Sequence, residues 1–127
     1  MIAPVGHYSH VSTHEGLAFI SGQLPIAEGG EHLSSEPFAR QVCQVLFNVD
    51  ACLRCVGGDR RDLVQVRVYM TDMELWGEFD ALYGEWIGEH RPARAVAGVC
   101  QLHFGALIEI EATAAFSADR AGDRGKW

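Results

Sequence analysis

The residues best placed to do chemistry lie late in the chain, in Pro92-Ala93-Arg94-Ala95-Val96 and, after a loop, in Ile108-Glu109-Ile110-Glu111-Ala112. An arginine opens one apolar segment, and a carboxylate interrupts the next at strand spacing. Charges inside runs of small and β-branched residues are expensive to bury unless they are paired or functional. A planar guanidinium grips a small carboxylate through two parallel hydrogen bonds. A glutamate beside it supplies general acid/base capacity. Together they outline a site for a small anionic molecule, with the clamp and the proton carrier expected as neighbours on adjoining strands. Taken alone, the same residues also fit a structural ion pair between Arg94 and either glutamate. Glu111 shares the strand parity of Glu109, so parity does not choose between them.

The elements that must hold these groups follow from periodicity. Tyr8-Ser-His-Val-Ser12 and Leu17-Ala-Phe-Ile-Ser21 read as strands around a hairpin turn at His14-Glu15-Gly16. Gly22-Gln23-Leu24-Pro25 is expected to break the second strand, and 27–32 is a polar loop. Ser34-Ser35-Glu36-Pro37 carries a hydroxyl cap and an early proline. Phe38, Val42, Val45, Leu46, Val49, Leu53 and Val56 then recur every three or four residues, predicting a helix of about five turns. Gly57-Gly58 ends it. In 63–70, Val64, Val66, Val68 and Met70 alternate with Gln65, Arg67 and Tyr69, the pattern of a strand with one face on a core. Thr71-Asp-Met-Glu74 matches a capping box. The helix that follows is expected to bury Leu75, Trp76, Phe79, Leu82, Tyr83, Trp86 and Ile87, and to stop at His90-Arg91-Pro92. Two further strands, 94–99 and 107–116, flank a loop around His103-Phe104-Gly105.

The order is therefore β-β-α-β-α-β-β, a single α+β domain over 1–116. The segment 117–127 is polar and aperiodic and is expected to be a frayed tail. Two amphipathic helices cover one face of a mixed sheet. The other face carries Gln65, Arg67, Tyr69, Glu109, Glu111 and Thr113, so it meets water or other subunits. Polar and aromatic groups together suit an oligomer with sites at its subunit boundaries.

Bulk properties narrow the function. A chain of 127 residues, 48% hydrophobic and 21% charged, supports one domain with a real core. A net charge of −7 argues against a nucleic-acid surface. No run reaches transmembrane length and no leader pattern opens the chain, so a cytoplasmic protein is expected. Of the cysteines Cys43, Cys52, Cys55 and Cys100, the Cys52-Leu-Arg-Cys55 pair has metal or redox spacing but lacks a second ligand pair. It also sits at the end of a helix rather than its start, and Cys52 falls on the apolar face, so packing is expected. His7 and His10 have opposite strand parity and His14 lies in a turn, so no metal is expected there.

Gly6-His-Tyr8-Ser, Ser21-Gly22-Gln23-Leu-Pro25, Val68-Tyr-Met-Thr-Asp72-Met, Pro92-Ala-Arg94 and Ile108-Glu109-Ile-Glu111-Ala together resemble the RidA (YjgF) family of reactive-intermediate deaminases. They occur in the family's order and at similar intervals across about 6–116. The resemblance implies a chorismate-mutase-like fold assembled as a homotrimer with clefts between subunits. It implies hydrolysis of short-lived enamines and imines, such as 2-aminoacrylate and 2-iminopropionate, to 2-keto acids and ammonia, with no cofactor. By the same resemblance Arg94 pairs with the substrate carboxylate and Glu109 activates water. Tyr8, Ser21, Gly22 and the backbone at Val96 line the cleft.

Where the family often has serine and cysteine after the arginine, this chain has Ala95 and Val96. His7 stands for a common proline, and Asp80 for a frequent asparagine. These departures bear on the substrate. A specialised biosynthetic step on a larger imine and a non-catalytic ligand-binding or chaperone-like module are the alternatives. Ribonuclease activity, linked to some relatives, is disfavoured by the acidic balance. His103 is expected near the cleft rim.

Overall fold

A computed structural model describes residues 1–116; the tail expected at 117–127 lies outside the described residues. The elements are β1 (Val11–His14), β2 (Leu17–Gln23), α1 (Phe38–Cys55), β3 (Leu63–Met70), α2 (Trp76–Ile87), β4 (Ala93–Gly98) and β5 (Ile108–Ala115). The sheet order is β1-β2-β5-β3-β4. β3 and β4 run parallel, joined through α2, and the other pairs are antiparallel. Among the described residues no helix is long and apolar enough to cross a membrane.

The hairpin turn has Glu15 at φ 47° and Gly16 at φ 81°. Two successive left-handed residues make the two-residue turn whose twist matches the flanking strands. β1 begins three residues later than expected and runs on to His14, so Tyr8 precedes the strand rather than lying in it. β2, in contrast, does not stop at Gly22. Its pairing with β5 passes from Ile20↔Ala112 to Gln23↔Ile110, with an extra residue absorbed at Ser21-Gly22. The glycine marks a bulge, a device that re-aims side chains while the strand continues.

α1 matches its periodicity. Val42, Val45, Cys52 and Leu53 have no exposed surface, and the helix lies across β5 and β2. Burial pushes the Cys52 thiol up to about 12, with Cys55 adding to the shift; this sulfur packs, as expected of an apolar-face residue. The expected hydroxyl cap does not form. Pro37 occupies the cap position without a side-chain bond, and the Ser34 hydroxyl donates to the Phe104 carbonyl at 2.6 Å. Buried Gln41 takes over part of the anchoring. Its amide donates to the carbonyls of Ser34 (3.2 Å) and Glu36 (2.9 Å), and its oxygen accepts from Leu107 N–H (3.0 Å).

In β3 the register with β5 slips between Leu63↔Ala114 and Gln65↔Thr113. Leu63 therefore takes the core position expected of Val64, which is 49% exposed. The capping box at Thr71 is likewise replaced. Asp72 accepts from Glu74 N–H at 3.0 Å and opens a 3-10 turn, Met73–Leu75, that leads into α2. α2 ends at Gly88, φ 71°, before the proline is reached. Only Phe79 and Tyr83 of its apolar stripe are buried, while Trp76 is 41% exposed. α2 covers β4, an edge strand, so its outer side chains have no second layer beneath them. Its far end is tied down by polar contacts. Arg60 grips the Asp50 carboxylate at 3.0 and 2.9 Å and donates to the Trp86 carbonyl, and the Trp86 indole donates to Asp50 at 3.0 Å.

Candidate active site

Arg94 is the second residue of β4 and pairs with Val66 of β3. Val66 is buried beneath the helices, so register places Arg94 on the helical face of the sheet. Its guanidinium carbon lies 4.9 Å from the Tyr83 ring centroid, 5.7 Å from Phe79 and 5.9 Å from Trp76. An arginine on aromatic faces loses little to desolvation and keeps a defined orientation. NH1 donates to Asp80 at 2.9 Å. Arg94, Asp80 and Tyr83, with His90 and Arg91, line an open cleft of about 390 Å³. The Tyr83 hydroxyl is buried with no hydrogen-bond partner among the described residues, and burial raises its pKa. Val96, two residues along β4, shares this face and packs against the core. Trp76, Phe79, Asp80 and Tyr83 are spaced three and four apart, the signal of one helix face. The aromatics among them, expected in the core, surround the Arg94 guanidinium, and Trp76 is exposed.

Glu109 sits on the other face. It opposes Tyr69 across the β3–β5 pairing, and Glu111 opposes Arg67. The two glutamates differ in their surroundings. The Tyr69 hydroxyl donates to Glu111, and that bond is the main cause of the raised Tyr69 pKa. Glu109 accepts no hydrogen bond from the described residues. Burial first, and Glu111 second, push its carboxyl above the ordinary range, while His103 pulls it down. Gly22 at the bulge makes room for it: a β-carbon there would fall 2.9 Å from Glu109 Cδ and overlap a carboxylate oxygen.

His103 stacks on Phe104 at 3.7 Å, and Phe104 lies 4.0 Å from the His32 ring. Phe104 holds φ 61°, an uncommon conformation for a bulky residue, with its carbonyl taken by Ser34. Tyr8 and Gly22 line a cavity of about 100 Å³ with His10, Gln23 and the first residues of the chain. The Ser21 hydroxyl donates to the Ser9 carbonyl at 2.6 Å, so it fastens the segment carrying Tyr8 onto β2. His10 has one ring nitrogen 2.8 Å from the Ile2 carbonyl and the other 3.4 Å from the Gln23 amide.

Tyr8, Ser21, Gly22 and Glu109 thus gather at one end of the β2–β5 pairing. Arg94 and Val96 do not join them within a chain. β3 separates β4 from β5, a span of about 10 Å across two strand spacings, and the two groups occupy opposite faces. The expectation of adjoining strands fails because the parallel β3–α2–β4 connection carries β4 outward to the sheet edge, away from its successor β5.

The family model described as "Endoribonuclease L-PSP" matches residues 1–116. A RutC family protein of Aquifex aeolicus is 39% identical, over 87% of this chain and 90% of its own length. The crystal structure of RidA from the Antarctic bacterium Psychrobacter sp. has a TM-score of 0.85 at 32% identity, covering 90% of this chain and 92% of that one. E. coli TdcF with bound serine has a TM-score of 0.84 at 27% identity, covering 91% and 92%. Motif order, sheet topology and these likenesses agree, and the chain belongs to the endoribonuclease L-PSP family, in its RidA/YjgF group.

Proposed function

We propose that this chain hydrolyses short-lived enamines and imines of small amino acids to 2-keto acids and ammonia, in clefts formed between copies of itself. Since one chain holds Arg94 and Glu109 on opposite sheet faces, a molecule of amino-acid size needs two chains to meet both. β4 offers the means. It is an edge strand with Ala93, Ala95 and Ala97 exposed, and small side chains allow close approach by a neighbour. One chain then supplies Arg94 and the Val96 backbone, and the next supplies Tyr8, Ser21, Gly22 and Glu109. Such a head-to-tail contact closes as a ring, and a homotrimer is the ring we propose.

Arg94 fixes the substrate carboxylate and thereby the position of the imine carbon. Glu109 takes a proton from water as its oxygen attacks that carbon, giving a carbinolamine. Glu109 returns that proton to nitrogen, the carbon–nitrogen bond breaks, and ammonia leaves as the carbinolamine hydroxyl gives its proton back to the Glu109 carboxylate and the carbonyl forms. An enamine first gains a proton at carbon. This sequence calls for no metal or organic cofactor. A carboxyl with a raised pKa suits both halves of the proton transfer. The serine bound to the TdcF relative, one carboxylate and one nitrogen on a short chain, is the size of ligand this cleft would take.

The observation that supports the reading most is Glu109 itself: half-buried, without a hydrogen-bond partner among the described residues, and shifted upward, beside a Glu111 held by Tyr69. The test generates 2-imino acids in situ with an amino-acid oxidase and follows keto-acid formation with and without the protein. Acceleration across small imino acids supports the proposal. No acceleration on any of them contradicts it and favours the specialised or non-catalytic alternatives.

A further inference from the structure

We propose that Asp80 makes the Arg94 cleft selective for charge, favouring ligands that carry a cationic nitrogen beside their carboxylate over simple monocarboxylates. The inference rests on the reading of Arg94 as the carboxylate clamp. Arg94 spends only NH1 on Asp80, at 2.9 Å; neither Nε nor NH2 donates to a described residue. The edge of the guanidinium suited to a two-point carboxylate contact is therefore free. The rings of Trp76, Phe79 and Tyr83 restrict where that edge points.

A carboxylate bound there lies beside Asp80, whose side chain is 45% exposed toward the cleft. Like charges repel at that range. A ligand with a protonated nitrogen next to its carboxylate reverses the interaction, because the nitrogen can donate to the Asp80 oxygen that Arg94 leaves unused. The other groups facing the cleft are Arg91 and His90, the latter with Nε2 at the Leu63 carbonyl. The Arg91 charge raises anion affinity in general and does not discriminate between the two ligands. A protonated imino acid and its keto-acid product differ in this one feature, a cationic nitrogen replaced by a neutral oxygen. Asp80 so placed holds the substrate and weakens the hold on the product.

The experiment titrates the full chain with two stable probes, pyruvate as the monocarboxylate and serine as the zwitterion, by calorimetry. Asp80→Asn should bind pyruvate more tightly and serine more weakly, each by about two- to fivefold, as expected of a partly exposed charge. Asp80→Glu should keep the wild-type order of preference. An unchanged ratio of the two affinities in a folded Asp80→Asn, or the same ratio in Asp80→Ser should Asn not fold, overturns the proposal. So does a wild type that binds neither probe. Arg94→Ala separates the two ideas: if serine and pyruvate still bind with wild-type affinities, the clamp is wrong. A silent deaminase assay with the Asp80 effect intact removes the turnover and leaves the selectivity.

Discussion

Two glutamates stand two residues apart on one strand face, and their neighbours set them apart. Glu111 is held by a phenol, while Glu109 rests against a glycine with no donor among the described residues. Glu109→Gln is expected to lower kcat by about 10²–10⁴ in steady-state assays. The pH dependence follows from the direction of the shift. Folding raises the Glu109 pKa, so ionising it costs stability above that pKa and costs nothing below the unfolded value. Glu109→Gln should therefore melt higher than wild type at pH 7, with the gain vanishing as pH falls below the ordinary carboxylate range. The acidic limb of kcat/KM should lie above that range, and an ordinary carboxylate limb would argue against Glu109 as the base. Gly22→Ala forces the carboxylate aside and is expected to reduce kcat by up to about 10². Wild-type turnover by that variant would show that the close contact does not position the base.

At the scale of elements, the helices, the order of elements along the chain and the apolar face of α1 were legible because burial follows period. The hairpin was too, since Glu15-Gly16 suits a left-handed turn. Irregularities were not. The slip at Leu63-Val64 and the bulge at Ser21-Gly22 depend on how β5 pairs with both neighbours, and alternation within one strand carries no trace of that. Caps failed for a related reason: the Ser34 hydroxyl is drawn to the Phe104 carbonyl across the fold. Arg94 and Glu109 were legible as residue types, yet their placement on opposite faces came only with the outward position of β4. The β3 slip has a direct check in urea unfolding. Leu63→Ala should cost about 2–5 kcal/mol as a buried large-to-small change, and Val64→Ala no more than about 0.5 kcal/mol. Equal losses would restore the simple alternation.

The whole molecule is an acidic plate with one covered face. A net charge of −7 offers RNA no general attraction. The uncovered face mixes Phe19, 45% exposed, with the Arg67, Tyr69 and Glu111 row, a surface suited to another copy. The catalysis proposed above requires that copy, because one chain holds Arg94 and Glu109 on opposite faces of the sheet, on strands that are not neighbours. Refolding Arg94→Ala and Glu109→Gln chains together in equal amounts tests this most directly. Each variant alone should be inactive. The mixture should recover roughly a quarter of wild-type activity, since each cleft draws its arginine and its glutamate from two independently chosen chains. A mixture as inactive as its components, in assemblies shown to contain both chains, would contradict a shared site.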